Sequence, residues 1–238
     1  MNTMVELKKL RFHVPEEGKK SKCHLMHVGK QTSICSDMKV HGEKADRVSE
    51  AVYLGDIICH DGSNANNVKS RVSKGMGQVN SIMTMLQTVS FGEKYFEIAL
   101  TLKEAMLING MLGSADVWYG LKQKEIENFE EIDKILLHKI LDAPSSSCTE
   151  SLYLELGIIP IRILLRGRRI IYLHYLVNMK ETEMLHNFFA AQWAYPCKND
   201  WTIQVREDLE EFGMSEDLKF LKEKSVYQIK RIVKAKMK

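Results

Sequence analysis

Metal-spaced cysteines, long apolar runs, prolines and a strong charge bias are all scarce in this chain of 238 residues. The five cysteines (Cys23, Cys35, Cys59, Cys148 and Cys197) are scattered and odd in number. No two stand as Cys-x-x-Cys, the spacing a structural zinc site uses. With no export signal, they read as reduced thiols of an intracellular protein, nuclear or cytoplasmic. Apolar runs such as Ile158-Ile159-Pro160-Ile161 are far too short to cross a bilayer, and the first thirty residues lack the apolar stretch of a secretory signal, so no membrane partner is expected. Only 4 prolines and 14 glycines leave room for long uninterrupted elements, and 13 methionines suit helices better than strands. The net charge of +3 is too small to mark a nucleic-acid binder by itself. Its distribution is more informative.

Catalytic signatures are missing as well. There is no Gly-x-Gly-x-x-Gly, no Gly-Lys-Ser/Thr phosphate loop, no His-Glu-x-x-His and no Gly-x-Ser-x-Gly. The 10 aspartates are dispersed with no Asp-Asp pair, whereas two-metal phosphoryl transfer needs clustered carboxylates. Cys23 and His27 could form half a metal site. A second half at suitable spacing is absent, and on a strand His24 and His27 would face opposite sides. No catalytic residue, resident metal or cofactor is therefore expected.

What is present divides into two textures. Within the first sixty residues, Leu10–Val14, Cys23–Gly29, Met38–Gly42 and Val52–Ile58 are short runs bounded by Gly, Pro or Ser. They predict a small, mostly antiparallel β region over residues 1–62. From Asn64 the period becomes helical. Helices are expected over 64–87, 95–119, 124–141, 149–156, 160–180, 183–193, 202–212 and 225–238. Asp142-Ala143-Pro144-Ser145-Ser146-Ser147 is the clearest linker, separating a helical bundle at 63–143 from further helices at 144–238. The fold class is mainly α with a small N-terminal β region, that is, α+β.

Charge concentrates in two places. Ile158–Lys180 holds Arg162, Arg166, Arg168, Arg169 and Lys180 and no acid. Arg162, Arg166 and Arg169 fall on one helical face, opposite Ile163, Leu164, Ile170, Ile171, His174 and Tyr175. Like charges so spaced repel. Phosphate oxygens, which fit guanidinium forks, would convert that cost into attraction, and the plainer alternative is a solvated basic face. Lys219–Lys238 carries 8 basic residues against Glu223 alone and reads as a second basic surface. Arg71 and Lys74 on the first long helix are a weaker third, and Asp200–Asp217 is acidic.

Taken together, these segments resemble part of a non-LTR retrotransposon reverse transcriptase of the restriction-like-endonuclease lineage. Ser21-Lys22-Cys23-His24-Leu25-Met26-His27-Val28-Gly29-Lys30 is similar to the lysine-bearing palm strand. Tyr53-Leu54-Gly55-Asp56-Ile57-Ile58 is similar to the strand that leads from palm to thumb and helps hold the primer end. Ala115-Asp116-Val117-Trp118-Tyr119-Gly120 resembles a thumb region, with the Trp ahead of the Tyr-Gly, and Ile140–Trp201 is similar to the segment after the thumb. The family's Tyr/Phe-x-Asp-Asp strand and earlier metal-binding aspartate would lie upstream of Met1. Its Cys-Cys-His-Cys knuckle and endonuclease carboxylates would lie beyond Lys238. The full-length family would use Mg2+, whose ligands are absent here.

The resemblance implies a palm edge, a thumb-like bundle and a post-thumb region that grip a primer-template by its backbone without polymerising. Arg71, Lys74, Arg162, Arg166, Arg168 and Arg169 would contact an RNA/DNA duplex or structured RNA. Tyr53, Leu54 and Gly55 would shape a primer-grip turn, and Lys22 would approach a nucleotide phosphate. A polymerase palm supplied in trans is a further implied partner. The alternatives are a helical interaction or scaffold protein of retroelement ancestry, or a remnant without function.

Overall fold

The computed structural model describes residues 24–26, 39–40, 43–44, 46–197 and 200–237. It is mainly helical with a small β region ahead of the helices, the α+β class expected from the sequence. Two compact units are present, Met1–Asn67 and Val68–Lys238.

In the first unit, β1 (His24–Leu25) pairs in parallel with β4 (Asp46–Arg47), and β2 (Lys39–Val40) pairs antiparallel with β3 (Glu43–Lys44). The run read as one strand over Val52–Ile58 is instead a hairpin, β5 (Glu50–Tyr53) and β6 (Asp56–Cys59), with Val52 opposite Ile57 and Tyr53 opposite Asp56. The chain reverses at Leu54-Gly55, with φ of 49° and 89°. Two successive positive φ values match the twist of a two-residue hairpin turn, and Gly supplies one of them at no steric cost. Three hydrogen bonds tie this hairpin to the start of the next helix. Ile57 N donates to Asn67 Oδ1 at 3.1 Å, Asn67 Nδ2 to Asp56 Oδ1 at 3.0 Å, and Asn66 Nδ2 to Glu50 Oε2 at 2.7 Å. The proposed strand at Leu10–Val14 lies outside the described residues.

The second unit is built from helices. Helix α1 (Ala65–Leu86) buries Val68, Val79, Ile82 and Leu86 on one stripe. Gly75 lies in that stripe, where an added Cβ would sit 2.6 Å from Met111 Sδ and force the Met111 side chain to shift. Helix α2 (Glu93–Leu102) runs into a π-helical turn, Lys103–Ile108, and a last short turn, Asn109–Met111. The continuous helix expected to Tyr119 therefore ends early. Ser114 adopts a left-handed conformation at φ 60°, and a 3-10 turn, Ala115–Val117, follows.

Helix α3 (Gln123–Leu141) is capped by Glu125, whose Oε2 accepts from Lys122 N at 2.8 Å. Then come α4 (Thr149–Leu156), α5 (Ile161–Val177), α6 (Met184–Ala194) and α7 (Trp201–Glu211). The unit closes with α8 (Leu218–Lys222), which the sequence reading passed over, and α9 (Val226–Lys236). A reciprocal cap starts α9. Ser225 Oγ accepts from Gln228 N at 3.2 Å, and Gln228 Oε1 accepts from Ser225 N at 2.8 Å.

Helix α5 is shared by two apolar cores. Its first half gives Ile161 and Leu165 to a core with α1, the α2–Met111 segment and α3. Its second half gives Ile170, Leu173, Leu176 and Val177 to a core with Phe189, Val205, Leu209, Leu221, Ile229 and Val233. The first core also encloses an ion pair. Lys103 Nζ lies 2.9 Å from Asp133 Oδ1, with Asp133 fully buried and Lys103 nearly so. Tyr153 Oη donates to Asp133 Oδ2 at 3.1 Å. Desolvation pushes the Asp133 carboxyl above its ordinary range, against the pull of Lys103 and Tyr153.

Candidate nucleic-acid interface

The arginines of α5 do share a face, and that face meets acid from two other helices. Arg162 donates from Nε and Nη2 to Glu130 Oε1 and Oε2 at 2.7 and 2.6 Å. This pairing with α3 pushes the Arg162 guanidinium still higher in pKa. Arg169, only 4% exposed, donates from Nε and Nη2 to Asp208 Oδ2 and Oδ1 of α7 at 2.5 and 2.9 Å. Arg166 lies between them. Its Nε is 3.9 Å from Asp208 Oδ1, and its Nη1 pairs with Glu211. A cleft of about 180 Å³ follows the same line, bordered by these three arginines and by Glu207, Asp208 and Glu211.

The arginine face expected to meet phosphate or solvent thus carries carboxylate partners of its own chain. The repulsion among Arg162, Arg166 and Arg169 is real, and carboxylates of the same chain relieve it. Arg168 is also engaged, donating from Nη1 to Leu112 O at 2.8 Å and from Nη2 to Asn109 Oδ1 at 3.1 Å. Arg71 donates from Nη1 to Gly110 O at 2.8 Å, and its guanidinium lies against Gly113. Of the six cations expected to touch phosphate, Lys74 alone is exposed without a protein partner among the described residues.

Tyr53 and Leu54 stand exposed at the tip of the β5–β6 hairpin beside Gly55. Lys22, Cys23 and His27 lie outside the described residues. Among the described residues no group of three or more His, Cys, Asp or Glu side chains could hold a metal ion, and no helix is long and apolar enough to cross a membrane.

A row of exposed cations also lies on α9. Tyr227, Lys230, Arg231 and Lys234 are spaced i, i+3, i+4, i+7 and are all exposed, Tyr227 at 73%. That spacing places them along one face. The opposite face, Ile229 and Val233, is buried against α5. The close approach depends on Gly167, where a Cβ would lie 3.0 Å from both Val233 Cγ1 and Met237 Sδ. No carboxylate among the described residues pairs with Lys230, Arg231 or Lys234, and Lys219 and Lys222 of α8 are likewise exposed and unpaired. The sequence held this signal. Counting charge over Lys219–Lys238 shows the excess, and the helical spacing of Tyr227, Lys230, Arg231 and Lys234 shows the face.

The chain matches no family model, no curated protein and no solved structure.

Proposed function

We propose that the chain binds the phosphate backbone of nucleic acid through the outward face of α9, as a non-catalytic piece similar to the thumb and post-thumb of a retrotransposon-derived RNA-directed DNA polymerase. The observation that supports this reading is the row Tyr227, Lys230, Arg231 and Lys234, exposed and free of carboxylates among the described residues. Cations on an exposed helix face neutralise phosphates and release counterions, and an interleaved ring offers a base a surface to stack on. In this reading the arginines of α5 have a different task. They lock α3, α5 and α7 together, and so hold the platform on which α9 sits.

Lys74 on α1 is a second candidate contact, and Tyr53, Leu54 and Gly55 keep the exposed placement a primer-grip turn would need. An RNA/DNA duplex or structured RNA is the proposed partner, with a palm in trans as a further one. No nucleotide-addition step is assigned, because the sequence contains no Asp-Asp pair to hold two metal ions.

The test is fluorescence anisotropy with a labelled RNA·DNA hybrid. Three neutralised phosphates give a log–log salt slope of about −2.7, a roughly 40-fold loss of affinity between about 50 and 200 mM salt. A flat salt response rejects the reading.

A specific observation favours a second reading, a helical interaction or scaffold protein. Helix α6 buries only Phe189, while Met184, Leu185, Phe188 and the following Tyr195 are exposed. Met184, Phe188, Ala191 and Tyr195 fall on one line, the pattern of an apolar helix face without a partner. Sedimentation of the wild type and a Met184→Ser, Phe188→Ser variant tests the self-associating form of this reading. Self-association abolished by the two changes supports it, and monomers in both remove it.

A further inference from the structure

Helices α5 and α9 run antiparallel. His174 Nε2 of α5 lies 2.8 Å from Lys224 O, just ahead of α9. Gly167, earlier on α5, packs instead against Val233 and Met237 at the far end of α9. The end of the pair where α9 begins therefore carries Tyr175 as well as Tyr227. Tyr175 is 55% exposed and stacks on Tyr172, with ring centroids 5.9 Å apart.

The two rings also share a side. Each residue of a right-handed helix advances the side-chain direction by about 100°. Tyr175 comes one residue after His174, which faces the start of α9. Lys230 and Lys234 come one residue after Ile229 and Val233, which are buried against α5. The same rotation about two opposed axes carries all three to one side of the pair. Tyr175 thus flanks the row that Tyr227, Lys230, Arg231 and Lys234 form along α9.

We infer that this side of the α5–α9 pair selects unpaired nucleic acid, with phosphates on Lys230, Arg231 and Lys234 and bases stacked on Tyr227 and Tyr175. The inference rests on the phosphate-binding reading above and narrows its partner to single strands, loops or overhangs. In a duplex each base face is covered by its neighbour, so an exposed phenol ring reaches only sugar and phosphate. An unpaired base offers a free face, and stacking on it tolerates any sequence. From Tyr227 to Lys234 the row spans about 10 Å, the reach of about three nucleotides at about 3.4 Å each. Two rings beside that row are the feature a backbone grip on duplex leaves unused.

The test measures anisotropy of the full chain with two labelled single strands of equal length and charge, one of thymidylate and one of abasic nucleotides. The thymidylate strand should bind about 5- to 150-fold more tightly, the effect of one stacked base. Tyr227→Ala and Tyr175→Ala should each lower that ratio, and the double variant should bring it to about one. Both rings are more than half exposed, so their loss does not threaten the fold. Tyr227→Trp should keep the ratio, since any aromatic face serves.

A blunt RNA·DNA hybrid titrated against salt separates this inference from the reading beneath it. Equal binding of the two strands, beside a steep salt slope for the hybrid, overturns the inference and leaves the phosphate contact standing. A ratio that survives in the double variant does the same. A flat salt response for the hybrid and both strands removes inference and reading together.

Discussion

Asp208 should be the most expensive surface-adjacent acid to remove. It is 4% exposed and takes both forks of Arg169, itself buried to the same degree. Replacing Asp208 with Ala strands a guanidinium out of water with no counter-charge. Breaking a buried pair in this way costs about 3–5 kcal/mol. For a unit of the size of Val68–Lys238, each kcal/mol lowers the melting temperature by about 2–4 °C, so Asp208→Ala should melt about 6–20 °C below wild type.

Arg169→Met combined with Asp208→Leu removes both charges and keeps the volume, and it should recover to within about 1 kcal/mol of wild type or exceed it. At the rim of the same cluster, where Arg162 is about half exposed, Glu130→Ala should cost no more than about 1 kcal/mol. Thermal denaturation followed by circular dichroism measures all three. An Asp208→Ala protein melting within about 2 °C of wild type would show Arg169 to be solvated, and the assignment of the arginine face to internal pairing would fail.

Other outcomes follow from the same packing. Asp133→Ala should cost about 3–5 kcal/mol because it leaves Lys103 buried and unpaired, while Lys103→Met with Asp133→Leu and Tyr153→Phe, which strands no partner of the pair, should be neutral or stabilising by about 1–4 kcal/mol in urea titrations. Gly167→Val places a branched side chain where Val233 and Met237 already sit 3.0 Å from a Cβ. Amide exchange should then show α9 released first, with duplex binding weakened although no cation has changed. Leu54 holds φ 49° at the hairpin tip, a conformation asparagine tolerates better than leucine. Leu54→Asn should therefore protect the β5–β6 amides more strongly, and weaker protection would argue against this turn.

The helix boundaries were legible because apolar residues in this chain keep a strict period. The starts of α7 and α9 follow from Asp200 and Ser225, each a capping residue. The end of the segment after α2 was less legible, since Gly113-Ser114 reads equally well as packed helix or as exit, and only the left-handed Ser114 decides it. Periodicity also placed Arg162, Arg166 and Arg169 together but could not say what lay across from them. Their partners Glu130 and Asp208 are 32 and 39 positions from the arginines they bind. Glu130 belongs to an acidic run, Glu125 to Glu131, and Asp208 to the acidic stretch Asp200–Asp217, so a basic helix flanked in sequence by two acidic segments was the available hint. The face of α9 was readable from its spacing alone once Tyr227 is counted with the cations.

The most direct measurement is the salt slope of RNA·DNA binding for the wild type and for Lys230→Ala, Arg231→Ala, Lys234→Ala, with Arg162→Ala as the comparison. All four side chains are exposed or half exposed, so the fold is preserved. The triple variant should lose about 2.7 from the log–log slope, and Arg162→Ala should leave it unchanged. An unchanged slope in the triple variant, or a loss confined to Arg162→Ala, would contradict α9 as the phosphate-binding face.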